Sequence, residues 1–197
     1  MDLALFDFDG TITTREMYAD FIQDAVEPRR LRIGKVLLAP LLAGYRLGVV
    51  SPGILRAAIV RIGFSGVDEE KVRAAGQRFA DGILQAVLRP EAMQRIAWHK
   101  ARGDEVVVVS GALDLYLAPW CHQRGLALLC SALESRQGVL TGRYLGRQCV
   151  GREKPRRVLE RYDLADFGEV HAYGDTVEDL DLLAIASRKS YRWQAVR

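Results

Sequence analysis

The sequence predicts an α/β protein in which a doubly wound parallel sheet carries an inserted α-helical cap. Three short apolar runs, each ending in small or acidic residues, have the pattern of buried parallel strands. Helical stretches lie between them, and strands that alternate with helices indicate a parallel sheet covered on both faces. Apolar residues make up 49% of the 197 residues, which suffices for one core and a small additional module.

The elements of the core follow from these patterns. The predicted strands are residues 3–8, 105–110 and 169–174, and the predicted helices are residues 91–102 and 154–162. Gly103 closes the first of these helices, and Pro155 fits the first turn of the second. Ligands of such sheets lie beyond the carboxyl ends of the strands, so the residues at these strand ends are the candidates for function.

Residues 14–88 interrupt the alternation, because they combine helical spacing with breaker residues and contain no convincing strand. We therefore predict a catalytic core of residues 1–13 and 89–197, with residues 14–88 as a helical cap. Within the core, Gln137 and Gly138 have the pattern of a tight turn between two short strands, which predicts a hairpin.

The first strand ends in a pair of carboxylates. Asp7 and Asp9 are two residues apart, so both point to the same side, where a metal ion could lie between them and a phosphate. Gly10 permits the turn that follows, and Thr11 can present a hydroxyl and a backbone N–H. Carboxylate pairs with this spacing also occur in surface turns, so the pair by itself leaves both interpretations open.

A second acidic loop follows the last predicted strand and contains Asp175 and Asp179. Carboxylate oxygens suit a hard octahedral cation such as Mg²⁺, whose shell is completed by water and phosphate. Asp175 could equally cap a helix, with Asp179 on a solvated face. Two acidic strand ends in one α/β chain favour the metal site.

Two further features have the character of a phosphate site. Ser110 and Gly111 follow four valines, and a hydroxyl with an exposed N–H at a helix start can bind an oxyanion. Lys154 begins a predicted helix, where a cation opposes the helix dipole, which favours a functional reason for its position. Simple capping by Ser110 and simple solvation of Lys154 are the structural alternatives.

Taken in chain order, these features resemble the four motifs of the haloacid dehalogenase superfamily. The motifs are Asp-Phe-Asp-Gly-Thr at residues 7–11, Ser110 with Gly111, Lys154, and Asp175 with Asp179. A cap inserted directly after the first motif is similar to subfamily IB, which includes phosphoserine phosphatase. The resemblance covers the whole chain and implies a Rossmann-like core and a Mg²⁺-dependent phosphatase, that is, a phosphoric monoester hydrolase.

The resemblance also implies a role for each motif residue. Asp7 would attack phosphorus to form an aspartyl-phosphate, and Asp9 would act as general acid and then as general base. Mg²⁺ would be held by the Asp7 carboxylate, the Asp9 backbone carbonyl and Asp175, while Asp179 would steady the acidic loop. The phosphate-binding residues would be Thr11, Ser110, Gly111 and Lys154.

Two features of the cap concern the substrate. Glu16 stands nine residues after Asp7, where phosphoserine phosphatases carry a glutamate that meets the substrate amino group. Glu178, however, stands where those enzymes usually have an asparagine. An alternative is that Glu16 simply lies on the first cap helix.

Residues 28–67 contain seven basic residues and no acidic one, and the basic residues are scattered among apolar ones. This composition suits an anionic lipid surface. The expected substrate is therefore either a small phosphorylated metabolite of phosphoserine type or a lipid phosphate such as phosphatidylglycerophosphate. Peripheral contact of the cap with an anionic membrane goes with the lipid alternative, whereas a cap that packs on itself and shields an anionic site is the other interpretation.

The overall composition limits location and partners. A formal net charge of +3 is too small to indicate nucleic acid, and the longest uncharged apolar stretch, residues 36–45, is shorter than the ~20 residues of a membrane span. The three cysteines contain no CxxC pair and indicate reduced thiols. The N-terminus lacks the pattern of a secretory signal, so we expect a cytoplasmic protein.

Two alternative functions remain at this point. The chain could be a phosphotransferase of the same superfamily, which would pass the phosphoryl group to an acceptor other than water. It could also be a non-catalytic binding or regulatory module that keeps the fold. The presence of both Asp7 and Asp9 argues against a module, since the fold alone requires neither a nucleophile nor its acid partner.

Overall fold

The computed structural model describes residues 1–196. Its strands are β1 Leu3–Phe6, β2 Val67–Asp68, β3 Glu105–Leu113, β4 Ala127–Ser131, β5 Leu133–Arg136, β6 Val139–Tyr144, β7 Val170–Gly174, β8 Arg188–Tyr191 and β9 Gln194–Val196. Its α-helices are α1 Tyr18–Ala25, α2 Pro28–Leu37, α3 Ala39–Arg46, α4 Pro52–Phe64, α5 Glu69–Asp81, α6 Pro90–Ala101, α7 Asp114–Arg124, α8 Glu153–Arg161 and α9 Leu180–Ala184. Short 3₁₀ turns cover Ile83–Val87, Leu164–Asp166 and Val177–Asp179.

The central sheet has the strand order β4-β3-β1-β7-β8-β9. Its first five strands are parallel, and β9 is antiparallel to β8. Because β1 lies between β3 and β7, strand order reverses at β1, which is the position where open α/β sheets bind ligands. The carboxyl ends of these three strands meet at one edge of the sheet.

The two faces of the sheet are covered by different helices. Alternate residues of β1 point to opposite sides: Ala4 and Phe6 join a buried cluster that includes residues of α1, α5, α6 and α7, while Leu3 and Leu5 join a cluster with residues of α8 and α9. The predicted α/β class and doubly wound parallel sheet are therefore confirmed.

Two of the predicted strands end at different residues, and both ends belong to the candidate site. β1 ends at Phe6, before Asp7, and Phe8 is instead buried in the core. β3 continues to Leu113 with a register shift after Ser110, and α7 begins only at Asp114. The prediction that Ser110 and Gly111 stand at a helix start is therefore wrong, because the strand pairing with β4 continues past them.

Residues 14–88 contain the helices α1 to α5 and one short strand. That strand, β2, was not predicted, and it pairs with β6 of the β5–β6 hairpin to form a three-stranded antiparallel sheet. The hairpin itself was predicted, and Gln137 and Gly138 make its turn with φ of 51° and 76°. The hydrogen bonds Thr14 N to Val87 O, 2.9 Å, and Arg89 N to Ile12 O, 2.8 Å, join the two ends of the segment.

The helices of this segment are of two kinds. Helices α1 and α5 share the core of the sheet, since Phe21 and Phe79 pack on Tyr116 of α7 with ring centroids 4.7 and 5.3 Å apart. Helices α2 and α3 are peripheral: in the described chain, α2 buries only Gly34 and α3 buries no residue. Whether residues 14–88 act as a separate cap stays a prediction.

Across residues 1–196, no helix combines the length and the apolar character needed to cross a membrane.

Candidate active site

A buried cluster of charges lies at the carboxyl edge of the sheet. The ammonium group of Lys154, in the first turn of α8, donates hydrogen bonds to Asp7 Oδ1 at 2.6 Å and to Asp179 Oδ1 at 2.5 Å. Lys154 is only 2% exposed, and a charge buried this deeply is tolerated when it is paired and hydrogen-bonded. The pairing therefore fixes Asp7, which directly follows β1, relative to the turn after β7.

The acidic loop after β7 is built around the Asp179 side chain. Its Oδ2 accepts hydrogen bonds from the Asp175 N–H at 3.1 Å and from the N–H and hydroxyl of Thr176, both at 3.0 Å. Gly10, with φ of +80°, brings the first loop so close that a Cβ there would overlap the Asp175 carboxylate. The Thr11 hydroxyl donates to Asp175 Oδ1 at 3.1 Å. The first and last motifs are thus in direct contact.

The carboxylates of this cluster fit a divalent cation. One oxygen from each of Asp7, Asp175 and Asp179 lies within 4.8 Å of the others. Among the described residues, hydrogen bonds engage both oxygens of Asp179 but only one of Asp7 and one of Asp175. The two carboxylates predicted to be metal ligands therefore keep an oxygen available, and an all-oxygen donor set is the one that Mg²⁺ prefers.

Burial disfavours the ionised forms of the acidic residues in the cleft. Desolvation raises the pKa of Asp7 to about 8, although the charge of Lys154 opposes the shift. It raises the pKa of Asp9 to about 7, against the hydrogen bond from the Met17 N–H, and it also raises the pKa of Asp175. For Lys154, burial lowers the pKa but the two carboxylates outweigh it, so the net shift is upward. Full ionisation of these carboxylates therefore requires more positive charge than Lys154 supplies, and a bound cation would favour their ionised forms.

The candidate phosphate-binding residues occupy different positions around the cleft. Ser110 is buried, and its Oγ accepts a hydrogen bond from the Ala112 N–H at 3.1 Å. A Cβ at Gly111 would lie 2.7 Å from Val150 Cγ1, so this wall has room only for glycine. Ser110, Gly111 and Lys154 line the same cavity as Asp7 and Asp9. The hydroxyl of Thr11 is bound to Asp175 instead, and its role towards phosphate stays a prediction.

The cavity above Asp7 has a volume of about 510 Å³ and a mixed lining. The core contributes Asp7, Asp9, Ser110, Gly111 and Lys154, and the helical segment contributes Glu16, Tyr18, Leu42, Tyr45, Leu55, Arg56 and Ile59. Glu16 is exposed and precedes α1, which begins at Tyr18, so the alternative that placed it on the first cap helix is wrong. Glu16 therefore reaches the cavity from a loop.

The pairing of Arg56 with Glu178 in the lining of the cavity was missed by the sequence analysis. The Arg56 guanidinium donates to Glu178 Oε1 and to Gln148 Oε1, each at 3.1 Å, and the Tyr18 hydroxyl donates to the Arg56 carbonyl at 3.3 Å. Arg56 and Glu178 are 122 residues apart, so their pairing leaves no local pattern. Their contact joins α4 to the acidic loop across the cavity.

Comparisons with known proteins agree with this geometry. A family model described as haloacid dehalogenase-like hydrolase matches residues 4–184. Protein CicA from Caulobacter vibrioides is 33% identical over 192 residues, covering 96% of this chain and 85% of CicA.

Solved structures are similar over nearly the whole chain. A protein of unknown function from Bordetella pertussis Tohama I has a TM-score of 0.81 and 24% identity, covering 96% of this chain and 89% of that one. A substrate-bound phosphoserine phosphatase complex has a TM-score of 0.66 and 24% identity, covering 96% and 85%. At this identity, the two structures establish the shared fold.

Proposed function

We propose a function on the premise that this chain belongs to the haloacid dehalogenase-like hydrolases, the family whose model it matches over residues 4–184. The chain is a hydrolase with phosphatases among its structural neighbours. Its proposed reaction is the Mg²⁺-dependent hydrolysis of a phosphomonoester through an aspartyl-phosphate formed on Asp7.

The bridge from Lys154 to Asp7 and Asp179 is the observation that carries this proposal. It engages only one acceptor position of Asp7, so one carboxylate oxygen can still face a cation while the other attacks phosphorus. The covalent intermediate splits one displacement into two easier ones. Lys154, the Ser110 hydroxyl and the Gly111 N–H would neutralise the phosphoryl oxygens, where phosphoryl transfer gains most of its stabilisation.

Asp9 is proposed as the proton carrier of both steps. Its Oδ1 accepts the Met17 N–H at 3.0 Å, and its side chain lines the same cavity as Asp7. A pKa raised to about 7 by burial allows it to hold a proton near neutral pH. It would donate this proton to the leaving alkoxide and then accept one from the attacking water.

Mg²⁺ is the proposed cofactor, held by the Asp7 carboxylate, the Asp9 backbone carbonyl and Asp175. When bound, it would supply positive charge beside the phosphoryl oxygens. Asp179 keeps the loop in place through its hydrogen bonds to the backbone of Asp175 and Thr176. Loss of Asp179 would therefore weaken the site without removing a ligand.

The substrate remains one of two classes in this proposal. Glu16 in the cavity wall supports a small phosphomonoester with an amino group, as in phosphoserine. The apolar side chains of Leu42, Leu55 and Ile59 in the same lining support a lipid phosphate such as phosphatidylglycerophosphate. A single substrate panel distinguishes the two classes.

Peripheral contact with an anionic membrane accompanies the lipid alternative. Val36, Leu37 and Leu47 are 74%, 63% and 79% exposed and lie among exposed basic residues of α2 and α3. Each basic residue near an anionic surface contributes ~1 kcal/mol to the binding free energy. We expect the protein to sediment with anionic vesicles at low salt, and not with zwitterionic ones or at high salt. Failure to bind anionic vesicles at low salt would rule out this contact.

The alternative functions have less support. The intact nucleophile site argues against a purely non-catalytic module, and a phosphotransferase would require an acceptor to replace water.

Cys121, Cys130 and Cys149 are buried free thiols, which agrees with the proposed cytoplasmic location.

The test is phosphate release in Mg²⁺ from a panel of phosphoserine, sugar and nucleoside monophosphates, and dispersed lipid phosphates. We expect the wild type to hydrolyse one class of substrate and Asp7→Asn to hydrolyse none. Wild-type activity in pure Asp7→Asn would contradict the assignment of the nucleophile, and release that requires an added alcohol acceptor would indicate a phosphotransferase. Inactivity on every compound would contradict the proposed hydrolysis.

A further inference from the structure

A second cavity, of about 520 Å³, opens between the helices α1, α2, α3 and α4. We call it the chain groove, and its apolar walls include Ile22, Leu31, Leu38, Leu55, Ile59 and Ile62. Its volume falls within the ~300–1,000 Å³ typical of pockets that bury a small ligand. The groove is therefore large enough and apolar enough to hold an extended hydrocarbon.

The chain groove adjoins the cavity above Asp7. The two cavities share the lining residues Tyr18, Ala19, Leu42, Leu55 and Ile59. A molecule whose phosphate contacts Lys154 would thus have apolar side chains of the groove next to its leaving group. This proximity to the phosphate site favours a part of the substrate as the occupant, rather than a separate ligand.

Gly34 keeps the floor of the groove free of a side chain. It lies in the interior of α2 and is buried, although a glycine there destabilises a helix by ~0.5–1 kcal/mol relative to alanine. Close helix packing does not explain it, because a Cβ at Gly34 would meet only Ile62 Cγ2, at an ordinary 3.5 Å. Its φ does not require glycine either, since Gly34 is not among the residues with a positive φ. An open groove is the remaining physical reason for a glycine.

The surface around the groove suits the source of such a substrate. Lys35 lies at its rim, and the neighbouring face of α2 exposes Ile33, Val36 and Leu37 beside Arg29 and Arg32. Apolar and basic side chains together favour the surface of an anionic membrane. A lipid could pass from that surface into the groove along the apolar wall.

We propose that the chain groove binds the hydrocarbon chain of a lipid phosphomonoester whose phosphate occupies the site at Asp7 and Lys154. The inference rests on the proposed function and selects the lipid class of substrate. The groove would bind the hydrocarbon chain of the substrate, while the residues at the carboxyl ends of β1, β3 and β7 would carry out the hydrolysis.

The test is a series of n-alkyl phosphates from two to fourteen carbons, kept below the concentration at which they form micelles. Their leaving alkoxides are chemically alike, so kcat/KM reports binding of the chain. We expect kcat/KM to rise with chain length by up to about fourfold per methylene, the equivalent of about 0.8 kcal/mol. The increase should end once the groove is filled.

Two variants at one position test the location. Gly34→Leu places a side chain in the groove and should flatten the dependence on chain length, while turnover of ethyl phosphate stays at the wild-type level. Gly34→Ala is the matched control, because its Cβ fits beside Ile62 and leaves most of the groove open. If Gly34→Leu does not fold, Leu38→Gln serves instead, since Leu38 lines the groove but not the cavity above Asp7.

The outcomes separate this inference from the proposed function. Turnover of ethyl phosphate with no dependence on chain length would overturn the groove as a chain site and leave the phosphatase intact. An unchanged chain-length profile in Gly34→Leu would overturn its location. A change of the sedimentation coefficient in Gly34→Leu, with a flat wild-type profile, would identify the groove as a contact between two copies of the chain. No turnover of any alkyl phosphate would contradict the proposed function itself.

Discussion

The arrangement around Lys154 explains how a small number of residues can prepare the site. One ammonium group holds Asp7 and Asp179 together, and Asp179 in turn holds the backbone of the loop that carries Asp175. The same contacts therefore fix the positions of these carboxylates and balance part of their negative charge. Because the remaining oxygens of Asp7 and Asp175 face no donor among the described residues, the site is suited to a cation.

Replacing Lys154 should affect both stability and activity. In Lys154→Met, two buried carboxylates lose their partner, and we expect a loss of about 3–5 kcal/mol in the free energy of unfolding. We also expect kcat/KM to fall by about 10²–10³, as for other lost donors to a developing charge. Denaturant unfolding and steady-state kinetics measure these two effects.

The control for this change is Arg161→Met on the exposed side of the same helix, which should alter stability by less than about 1 kcal/mol. Added Mg²⁺ should stabilise Lys154→Met more than the wild type, because the cation would meet one more unbalanced negative charge. Equal stability of Lys154→Met and wild type without Mg²⁺ would contradict this account of the cluster.

At this scale the sequence was informative where chemistry is local. Asp7, Asp9, Ser110, Asp175 and Asp179 could be proposed as site residues because each lies at or just beyond the carboxyl end of a strand that the apolar pattern predicts. The pair of Arg56 and Glu178 could not be identified, because its partners belong to distant segments that only the tertiary fold brings together.

Among the elements, the packing of α5 on α7 depends on one glycine. A Cβ at Gly76 would overlap the backbone carbonyl of Leu115, so the two helices approach at this point more closely than any side chain permits. Gly76→Ala should therefore destabilise the protein by about 1–3 kcal/mol, despite the better helix propensity of alanine. Denaturant unfolding measures the change.

Gly34→Ala is the matched comparison for this prediction, since it is also a helical glycine but has ordinary space for a Cβ. It should stabilise the protein by about 0.5–1 kcal/mol. The same sign for both substitutions would show that close approach does not govern the position of α5.

A buried polar network at the amino end of the sheet joins α6 to β3 and β7. His99 is fully buried, with Nδ1 2.9 Å from Asp104 Oδ2 and Nε2 3.0 Å from the Tyr173 hydroxyl. Burial lowers the pKa of His99 more than Asp104 raises it. Burial also acts to raise the pKa of Asp104, but hydrogen bonds from the Asp2 N–H, His99 and Arg102 lower it to about 2.

The lowered pKa of His99 predicts that its own contribution to stability falls on mild acidification. A histidine in the unfolded chain gains a proton near pH 6.5, whereas folded His99 gains it at lower pH, so this group binds more protons in the unfolded state as pH falls. Its contribution to the free energy of unfolding should fall below pH 6.5 by at most about 1.4 kcal/mol per pH unit, while the raised pKa values of Asp7 and Asp9 act in the opposite direction over the same range. The contribution of Asp104 is lost only below about pH 3.8, as pH falls towards about 2.

Unfolding measured from pH 8 to pH 5 checks this prediction against His99→Gln. The variant should be less stable at pH 8, and its difference from the wild type should shrink as pH falls, because Asp7 and Asp9 titrate alike in both proteins. Identical slopes for the two proteins would contradict the role given to His99.

The elements also show where local patterns fall short. The runs that became β1, β7, α6 and α8 were predicted to within two residues at each end, because each carries its own apolar pattern and its own breaker residues. The two-residue strand β2 and the extension of β3 past Ser110 depend on pairing partners from β6 and β4, which no local pattern reveals.

In the whole molecule, the segment between β1 and β3 has two layers that differ in burial. Phe21 of α1 and Phe79 of α5 are buried in the core of the sheet, whereas α2 and α3 expose most of their side chains. Amide hydrogen exchange should therefore be faster in α2 and α3 than in α1 and α5 by orders of magnitude. Equal protection of all four helices would contradict this division.

The most direct test of the account is whether a phosphoryl group becomes attached to Asp7. An aryl phosphate labelled with ³²P is mixed with the enzyme and Mg²⁺, the reaction is quenched in acid within milliseconds, and the labelled peptide is identified by mass spectrometry. Asp9→Asn is included because it lacks the group proposed to activate water, so the intermediate should accumulate. The account predicts label on Asp7 in the wild type and more in Asp9→Asn, with none in Asp7→Asn; turnover without labelled protein, or label retained in Asp7→Asn, would contradict it.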